Sequence, residues 1–306
     1  MKKISALTLG LCLAIAVCAQ DKKDEGYKFT DVKRLPTTNV KSQDRAGTCW
    51  SWSTISFLES EIMRMGKDSV SLAPLYVVWN TYHGKAEKYV RMHGKLNFGQ
   101  GGACTDVTWS IKNYGIVPLE IYKGLNYGED VHAHGELDAI LKGYIDAVIT
   151  NPNKKLSTAW LKGYDAVLDT YLGEKPEKFT WKGKEYTPET FASDACNLDM
   201  NDYISLTSFT HHPFYTQFPV EVPDNWLSDL SYNLPMDEMM EVMDYAVDNG
   251  FGIAWASDVS EKGFKAGYAV VPDVDFKEMS DAEIAKWTKM PKAQQDAELF
   301  KKPGKE

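Results

Sequence analysis

A cysteine followed by a tryptophan opens the clearest helical pattern in the chain, and this junction constrains the fold more than any other feature. Residues 43–52 read Gln-Asp-Arg-Ala-Gly-Thr-Cys-Trp-Ser-Trp, and apolar side chains then recur at helical spacing as far as Met63. The pattern predicts a helix over residues 50–65 that is closed by Gly66. Cys49 then lies in the first turn, where the helix dipole favours a thiolate over a thiol.

The residues before Cys49 predict an activated nucleophile for acyl transfer. The backbone N–H of Cys49 and the side-chain amide of Gln43, one loop away, can together hold a developing oxyanion. A plainer interpretation stays open, in which Cys49 is a small buried cysteine of an amphipathic helix and Gln43 is an ordinary loop residue.

The spacing from Gln43 to Cys49, the Cys49-Trp50 pair and the helix that follows resemble the papain-like cysteine peptidases. The resemblance implies that Cys49 is the nucleophile, that Gln43 is the oxyanion donor and that Trp50 contributes to substrate binding. Ala46 occupies the position where many secreted members have a disulfide cysteine. This difference favours the disulfide-poor bleomycin hydrolase and aminopeptidase C branch, and it implies a peptide substrate and no cofactor.

Three glycines within residues 99–102 permit a close approach of the backbone to another group. A plain loop before a helix is the alternative. The resemblance to the papain-like family implies that Gly101 and Gly102 hydrogen-bond the substrate backbone as an added strand.

The composition and the N-terminal sequence indicate which partners the chain can have and where in the cell it is located. A net charge of −9 argues against a nucleic-acid partner, because phosphate binding needs a basic face. Residues 1–19 resemble a secretory signal, with Lys2-Lys3 before a short apolar stretch and cleavage expected before Gln20. A lipoprotein acylated at Cys18 is the alternative. No later stretch reaches transmembrane length, so we expect an exported protein, in the periplasm of a bacterium.

The cysteine count predicts at least one free thiol in the exported protein. Of the five cysteines, Cys12 and Cys18 lie in the predicted signal, which leaves Cys49, Cys104 and Cys196. Because three is odd, one thiol stays unpaired, and Cys49 is the natural candidate. Whether the other two pair stays open.

The predicted fold class is α+β: a papain-like two-lobed fold with a helical N-terminal lobe, a helical insertion and an incomplete β-rich second lobe. The predicted boundaries are a signal peptide at 1–19, the lobe with the nucleophile helix at 20–125, the insertion at 126–200 and the partial β-rich lobe at 201–306. The pattern further predicts helices at 75–91, 105–114, 135–150, 157–172 (capped by Ser157) and 235–249, a hairpin at 179–187, a strand at 203–209 and a buried strand at 251–259. The methionines of the 235–249 helix are expected to be core residues rather than ligands of a metal.

The histidines do not supply an obvious general base. His132 and His134 have the spacing of metal ligands, but two histidines on a charged loop are usually solvated, and no metal site is predicted. His211 and His212 are interpreted as part of a structural loop. The histidine strand and the Asn-Ser-Trp motif of the papain-like family are both missing from the sequence.

The resemblance therefore implies a chain cut short of its general base and of the asparagine that orients it, with hydrolysis in doubt. It also implies homo-oligomers, since members of this branch often form hexamers. A non-catalytic peptide-binding or scaffold protein of the same fold is the alternative function. A cell-wall amidase is more remote, because the Gln43-to-Cys49 spacing and Trp50 argue against it.

Overall fold

The computed structural model describes residues 29–257 together with four short stretches, which are 264–265, 268–269, 279–291 and 294–295. The chain divides into a large compact unit, Lys33–Asp258, and a smaller one formed by the two chain ends. The predicted signal peptide lies outside the described residues. The predicted domain boundaries stay predictions.

The large unit is built mainly from helices. These are α1 (Cys49–Arg64), α2 (Pro74–Arg91), α3 (Cys104–Tyr114), α4 (Gly135–Ile149), α5 (Trp160–Leu172), the short α6 (Pro188–Thr190) and α7 (Met236–Asp248). A π-helical turn follows α6 at Phe191–Ala195, and a 3-10 turn lies at Met200–Asp202. Among the described residues, no helix is both long and apolar enough to cross a membrane.

The strands of the large unit form two small sheets. An antiparallel hairpin joins β1 (Phe179–Trp181) to β2 (Lys184–Tyr186). The second sheet has the order β3-β5-β4 and contains β3 (Leu206–Thr207), β4 (Gln217–Pro219) and β5 (Leu230–Asn233). Strand β5 pairs in parallel with β3 and antiparallel with β4. The mixture of helices and short sheets confirms the predicted α+β class.

The smaller unit has two short strands and one helix among its described residues. Strands β6 (Phe264–Lys265) and β7 (Tyr268–Ala269) pair antiparallel. Helix α8 (Asp281–Thr288) begins after Ser280, whose hydroxyl accepts from the backbone N–H of Glu283 while the Glu283 carboxylate accepts from the Ser280 N–H.

The helix boundaries follow residues whose backbone preferences are visible in the sequence. Pro74 occupies the first turn of α2, where its missing N–H costs no hydrogen bond. Gly66 and Gly115 follow α1 and α3 with φ of 77° and 68°, a region that favours glycine. The hairpin turns at Lys182 and Gly183, as predicted, with φ of 47° and 79°.

Helices α1 to α5 share one hydrophobic core. Helix α1 contributes Ile55, Leu58 and Ile62, each at most 1% exposed. Burying such a side chain stabilises the fold by roughly 1.5–3 kcal/mol. The core fixes α1 against α2 and α3 and thereby fixes the direction in which the first turn of α1 points.

Two predicted boundaries were wrong. Ser157 does not cap α5, because the helix begins at Trp160 after Ala159, and the Ser157 hydroxyl accepts from the Ala159 N–H in the loop before it. The strand predicted over 203–209 covers only Leu206–Thr207, the two residues that pair with β5. The alternation of apolar and polar side chains does not show how many residues find a partner strand.

The helix predicted at 235–249 and the strand predicted at 251–259 were both expected to be buried, and over the described residues this expectation was wrong. Helix α7 has no buried residue, and Met236 and Met240 are 54% and 45% exposed. Residues 251–257 form no strand, and Trp255 is 69% exposed. Residues 258 and 259 lie outside the described residues. The amphipathic pattern gave the helix correctly, but a pattern does not show whether a partner covers its apolar face.

The segment before α4 ties that helix to the loop that leads into α1. The N–H of Arg45 donates to the carbonyl of His132 at 2.8 Å, and the N–H of His132 donates to Asp44 Oδ2 at 3.1 Å. His132 and His134 are 9% and 1% exposed, so the expectation that both are solvated was wrong. The two rings pack edge to face, and His132 also contacts Trp52 of α1 in the same way.

Burial leaves His134 uncharged. Neither ring nitrogen of His134 has a hydrogen-bond partner among the described residues. Burial, with a smaller effect of His132, lowers the pKa of His134 from its ordinary 6.5 to about 4. The unfolded chain therefore takes up a proton at this residue as the pH falls below about 6.5, whereas the folded chain does not until about pH 4.

We predict that His134→Leu reduces the loss of stability in acid. A group with a lowered pKa in the folded state stabilises the fold less as the pH falls, here by about 2 kcal/mol between pH 7 and pH 5. The measurement is the free energy of unfolding in urea at both pH values, with His93→Asn as the control because His93 is exposed. Equal losses in wild type and His134→Leu would contradict the prediction.

Candidate functional site

The loop before α1 is a closed turn held by its own backbone and by one side chain. The N–H of Ala46 donates to the carbonyl of Gln43, and Gln43 Nε2 donates back to the carbonyl of Ala46 at 2.8 Å. An amide nitrogen carries two N–H groups, so Gln43 retains one for a further acceptor. Its role as oxyanion donor stays a prediction.

Cys49 is the first residue of α1, and its thiol is exposed. The preceding Thr48 carries the chain into the helix, with its carbonyl accepting from the N–H of Ser51 and its hydroxyl accepting from the Trp52 indole at 3.1 Å. The first turn contains no acidic residue that would oppose an anion. The plainer interpretation of a buried Cys49 was therefore wrong.

The other two described cysteines are poor competitors as nucleophiles. Cys104 and Cys196 are free thiols, as is Cys49. Burial raises the pKa of Cys104, and it raises the pKa of Cys196 to about 12. Asp106 and Cys49 add smaller rises to the pKa of Cys104.

The glycine segment, residues 99–102, lies directly against the loop of residues 43–48 before α1, which we call the nucleophile loop. Gln100 joins the two, because its Oε1 accepts from the N–H of Gly47 at 2.7 Å and its carbonyl accepts from the Trp50 indole at 3.0 Å. Trp50 itself is 5% exposed and packs behind the segment. The substrate-binding role predicted for Trp50 stays a prediction.

Both glycines of the predicted binding strand are needed for close packing. A Cβ at Gly102 would lie 2.5 Å from Asp106 Oδ2 and 2.8 Å from the Trp50 ring. A Cβ at Gly101 would lie 2.4 Å from Asp224 Oδ2. The structure brings Gly101 and Gly102 close to the loop before α1, and their role in substrate binding stays a prediction.

A buried lysine holds the glycine segment from below. Lys85 of α2 is 1% exposed, and its ammonium donates to the carbonyls of Gly99 at 2.9 Å and Gly101 at 2.5 Å. Burial lowers the pKa of Lys85, while the carboxyl groups of Asp106 and Asp224 oppose that change.

Asp106, in the first turn of α3, is a buried carboxyl that titrates near neutrality. Burial raises its pKa to about 7, although hydrogen bonds from the Ala103 N–H and the Trp226 indole oppose that rise. Its Oδ2 accepts both bonds, and Oδ1 has no partner among the described residues. Lys85 and Asp106 thus place one cationic and one acidic group beneath the same backbone segment.

Sequence reasoning missed Lys85, Gln100 and Asp106. A signal existed for Lys85, since it shares a face of α2 with Val78, Tyr82 and Tyr89, which are all buried. A charged residue on an apolar stripe is rarely buried without partners. Asp106 lies at the third position of α3, where a carboxylate often accepts from the backbone N–H of the residue before the helix.

The chain is similar to two curated aminopeptidases. Over 286 residues the chain is 23% identical to aminopeptidase G of Lactobacillus delbrueckii subsp. lactis, covering 81% of this chain and 65% of the relative. Aminopeptidase C of the same organism is 24% identical over 273 residues, covering 75% of this chain and 60% of the relative. The chain therefore spans slightly less than two thirds of the length of these relatives.

The fold is also found among solved structures. PepW of Lactobacillus rhamnosis superposes with a TM-score of 0.58 at 18% identity, over 72% of this chain and 59% of that chain. No family model matches the chain. The chain is similar to aminopeptidases of the C type and shares the fold of PepW. The resemblance seen at Gln43 and Cys49-Trp50 coincides in the structure with a helix start beside the glycine segment.

The described histidines make their hydrogen bonds with groups other than the Cys49 thiol. Among the described residues, no histidine is hydrogen-bonded to the Cys49 thiol. His83 contacts Asp165, and His211 and His212 contact Glu221. The family's usual arrangement of thiol and imidazole is thus not formed by the described residues.

We predict that Cys49 is alkylated first. Limiting iodoacetamide at about pH 6.5, below the ordinary thiol pKa of about 8.5, selects the thiol that is both exposed and most readily ionised. Cys104 and Cys196 are disfavoured by burial and by their raised pKa values. The measurement is peptide mapping by mass spectrometry, with Cys49→Ala as the control. Faster labelling of Cys104 or Cys196 than of Cys49 would show that the nucleophile is misassigned.

Proposed function

We propose that the chain is a cysteine-type peptidase of the aminopeptidase C kind. The Cys49 thiolate attacks the carbonyl carbon of a peptide bond, and the Cys49 N–H and the free N–H of Gln43 Nε2 hold the oxyanion. Collapse of the tetrahedral intermediate releases the amine, which leaves with a proton, and gives a thioester at Cys49. Water then hydrolyses the thioester.

One observation carries this proposal: the exposed thiol at the start of α1 lies in a loop that is hydrogen-bonded to the glycine segment. Gln100 makes the connection through the N–H of Gly47 and the indole of Trp50. A peptide bound along the segment would therefore lie beside Cys49. Positioning of this kind supplies a large part of the rate enhancement of an enzyme.

Gly102 supports peptide binding by its unused backbone groups. Among the described residues, its carbonyl and N–H take part in no backbone hydrogen bond, and the residue is half-buried. The neighbouring carbonyl of Gly101 is already taken by Lys85. An extended peptide that adds as a strand would satisfy both groups of Gly102, which is a common mode of peptide recognition.

The general base is the part of the mechanism that the described residues do not supply. Transfer of the thiol proton by a positioned base contributes about 10²–10⁴-fold to the rate of such reactions. We therefore expect slow turnover by this chain. We also propose that the protein is exported and that it forms homo-oligomers.

The lack of a histidine hydrogen-bonded to Cys49 among the described residues favours a second candidate function. A chain without a histidine bonded to Cys49 could bind peptides along Gly102 without cleaving them. A non-catalytic peptide-binding protein would then share the site geometry and lack only its chemistry.

We predict slow hydrolysis of aminoacyl-coumarins that depends on Cys49. Cys49→Ala should abolish coumarin release, and Cys104→Ala should leave it unchanged, because only Cys49 begins the nucleophile helix. Added imidazole should raise the rate of the wild type, since it replaces a missing base.

Peptide affinity separates the two candidates. Isothermal titration of Cys49→Ala with a substrate peptide measures binding when cleavage is blocked. Peptide binding without Cys49-dependent hydrolysis, even with imidazole, would refute the peptidase and support the binding protein. Hydrolysis that survives in Cys49→Ala would refute both the nucleophile and the mechanism.

A further inference from the structure

Two adjacent histidines and one glutamate converge beside the β3-β5-β4 sheet. His211 Nε2 lies 2.8 Å from Glu221 Oε2, and His212 Nε2 lies 3.4 Å from the same oxygen. The three potential ligand atoms all lie within 4.8 Å of one another. Neither histidine has a role in the proposed peptidase chemistry.

The loop that carries the two histidines is held rigidly by one buried side chain. Asn233 of β5 is 0% exposed, and its amide binds the loop from both ends. Its Oδ1 accepts from the N–H of Phe209, and its Nδ2 lies within donor distance of the carbonyls of Phe209, His212 and Pro213. A loop fixed in this way holds its side chains in one arrangement, which lowers the entropic cost of binding a ligand.

The imidazole rings are oriented by an aromatic residue of the sheet. Phe218 of β4 is 6% exposed and stacks on His212, with 3.9 Å between ring centroids and 22° between planes. His211 contacts the same ring edge to face at 6.0 Å. Glu221 follows β4 by two residues, so the sheet that holds the rings also positions the carboxylate.

We propose that His211, His212 and Glu221 bind a divalent zinc ion. Two imidazole nitrogens and one carboxylate oxygen, with a remaining position open to water, form a ligand set that zinc adopts in proteins. Bonds of about 2.0–2.2 Å in a tetrahedral site place neighbouring ligand atoms roughly 3.4 Å apart. The 3.4 Å pair already has this spacing, and the 2.8 Å pair needs to open by roughly half an ångström.

The exposure of the cluster permits that adjustment and leaves room for solvent ligands. The side chains of His211 and Glu221 are 54% and 63% exposed, so a small rotation disturbs no core contact. His212, 30% exposed, is the ligand that the Phe218 stack holds in place.

The test is zinc titration of the full chain in a Cys49→Ala background, which removes the exposed thiol as a competing ligand. Calorimetry at about pH 7.5 should give one zinc per chain, and the affinity should fall as the pH is lowered, because protons compete with zinc for the ligand atoms. Co²⁺ substitution should give the intense visible absorption of a four-coordinate site.

Variants of the two exposed ligands decide the assignment. In the same background, His211→Ala and Glu221→Gln should each weaken zinc binding by at least about tenfold, the scale on which changes at metal sites act. His93→Asn removes a different exposed imidazole and should bind zinc as its parent does. Melting without metal should be the same for all four proteins, which separates lost ligation from unfolding.

Zinc binding that persists unchanged in His211→Ala and Glu221→Gln, or the lack of stoichiometric binding by the parent, would overturn the proposal. The cluster would then be an ordinary carboxylate hydrogen-bonded by two histidines.

Discussion

The buried ammonium of Lys85 is the contact on which the candidate site depends. It lies beneath the glycine segment and donates to the carbonyls of Gly99 and Gly101. A lysine that is 1% exposed would destabilise the fold if it were unpaired, since a buried charge needs partners to replace water. The two carbonyls and the nearby carboxyl of Asp106 supply those partners. The backbone of the segment is thereby fixed relative to α2 and α3.

The nucleophile loop is fixed against this segment in turn. Gln100 accepts from the N–H of Gly47 through its side chain and from the Trp50 indole through its backbone. Gly102 has no Cβ, and this permits contact with the Trp50 ring and Asp106. The position of the Cys49 thiol relative to the glycine segment therefore follows from one continuous set of contacts, which begins in the core of α2.

The sequence predicted the parts of this arrangement that depend on local pattern. The start of α1, which lies one residue before the predicted position, the closing glycines and the hairpin at Lys182-Gly183 follow from spacing and backbone preference. Long-range partners were not predictable, because nothing local relates Lys85 to Gly101 or Trp226 to Asp106. The burial of α7 was predicted wrongly for the same reason, since an apolar stripe does not identify what covers it.

The central claim is that Gly102 binds a peptide backbone in register with Cys49. The direct measurement is the rate at which a peptidyl chloromethyl ketone alkylates Cys49, relative to iodoacetamide, in wild type and Gly102→Ala, with Gly143→Ala as a control at an unobstructed helical site. The Cβ added in Gly102→Ala would meet Asp106 and the Trp50 ring, so the segment must shift and its two backbone hydrogen bonds to the peptide are weakened. We therefore predict a peptidyl preference that falls about tenfold in Gly102→Ala, while the iodoacetamide rate is unchanged. Gly101→Ala, whose added Cβ meets the carboxylate of Asp224, serves as a second variant if Gly102→Ala melts early. A preference that survives both substitutions, or that is missing from the wild type, would contradict the account.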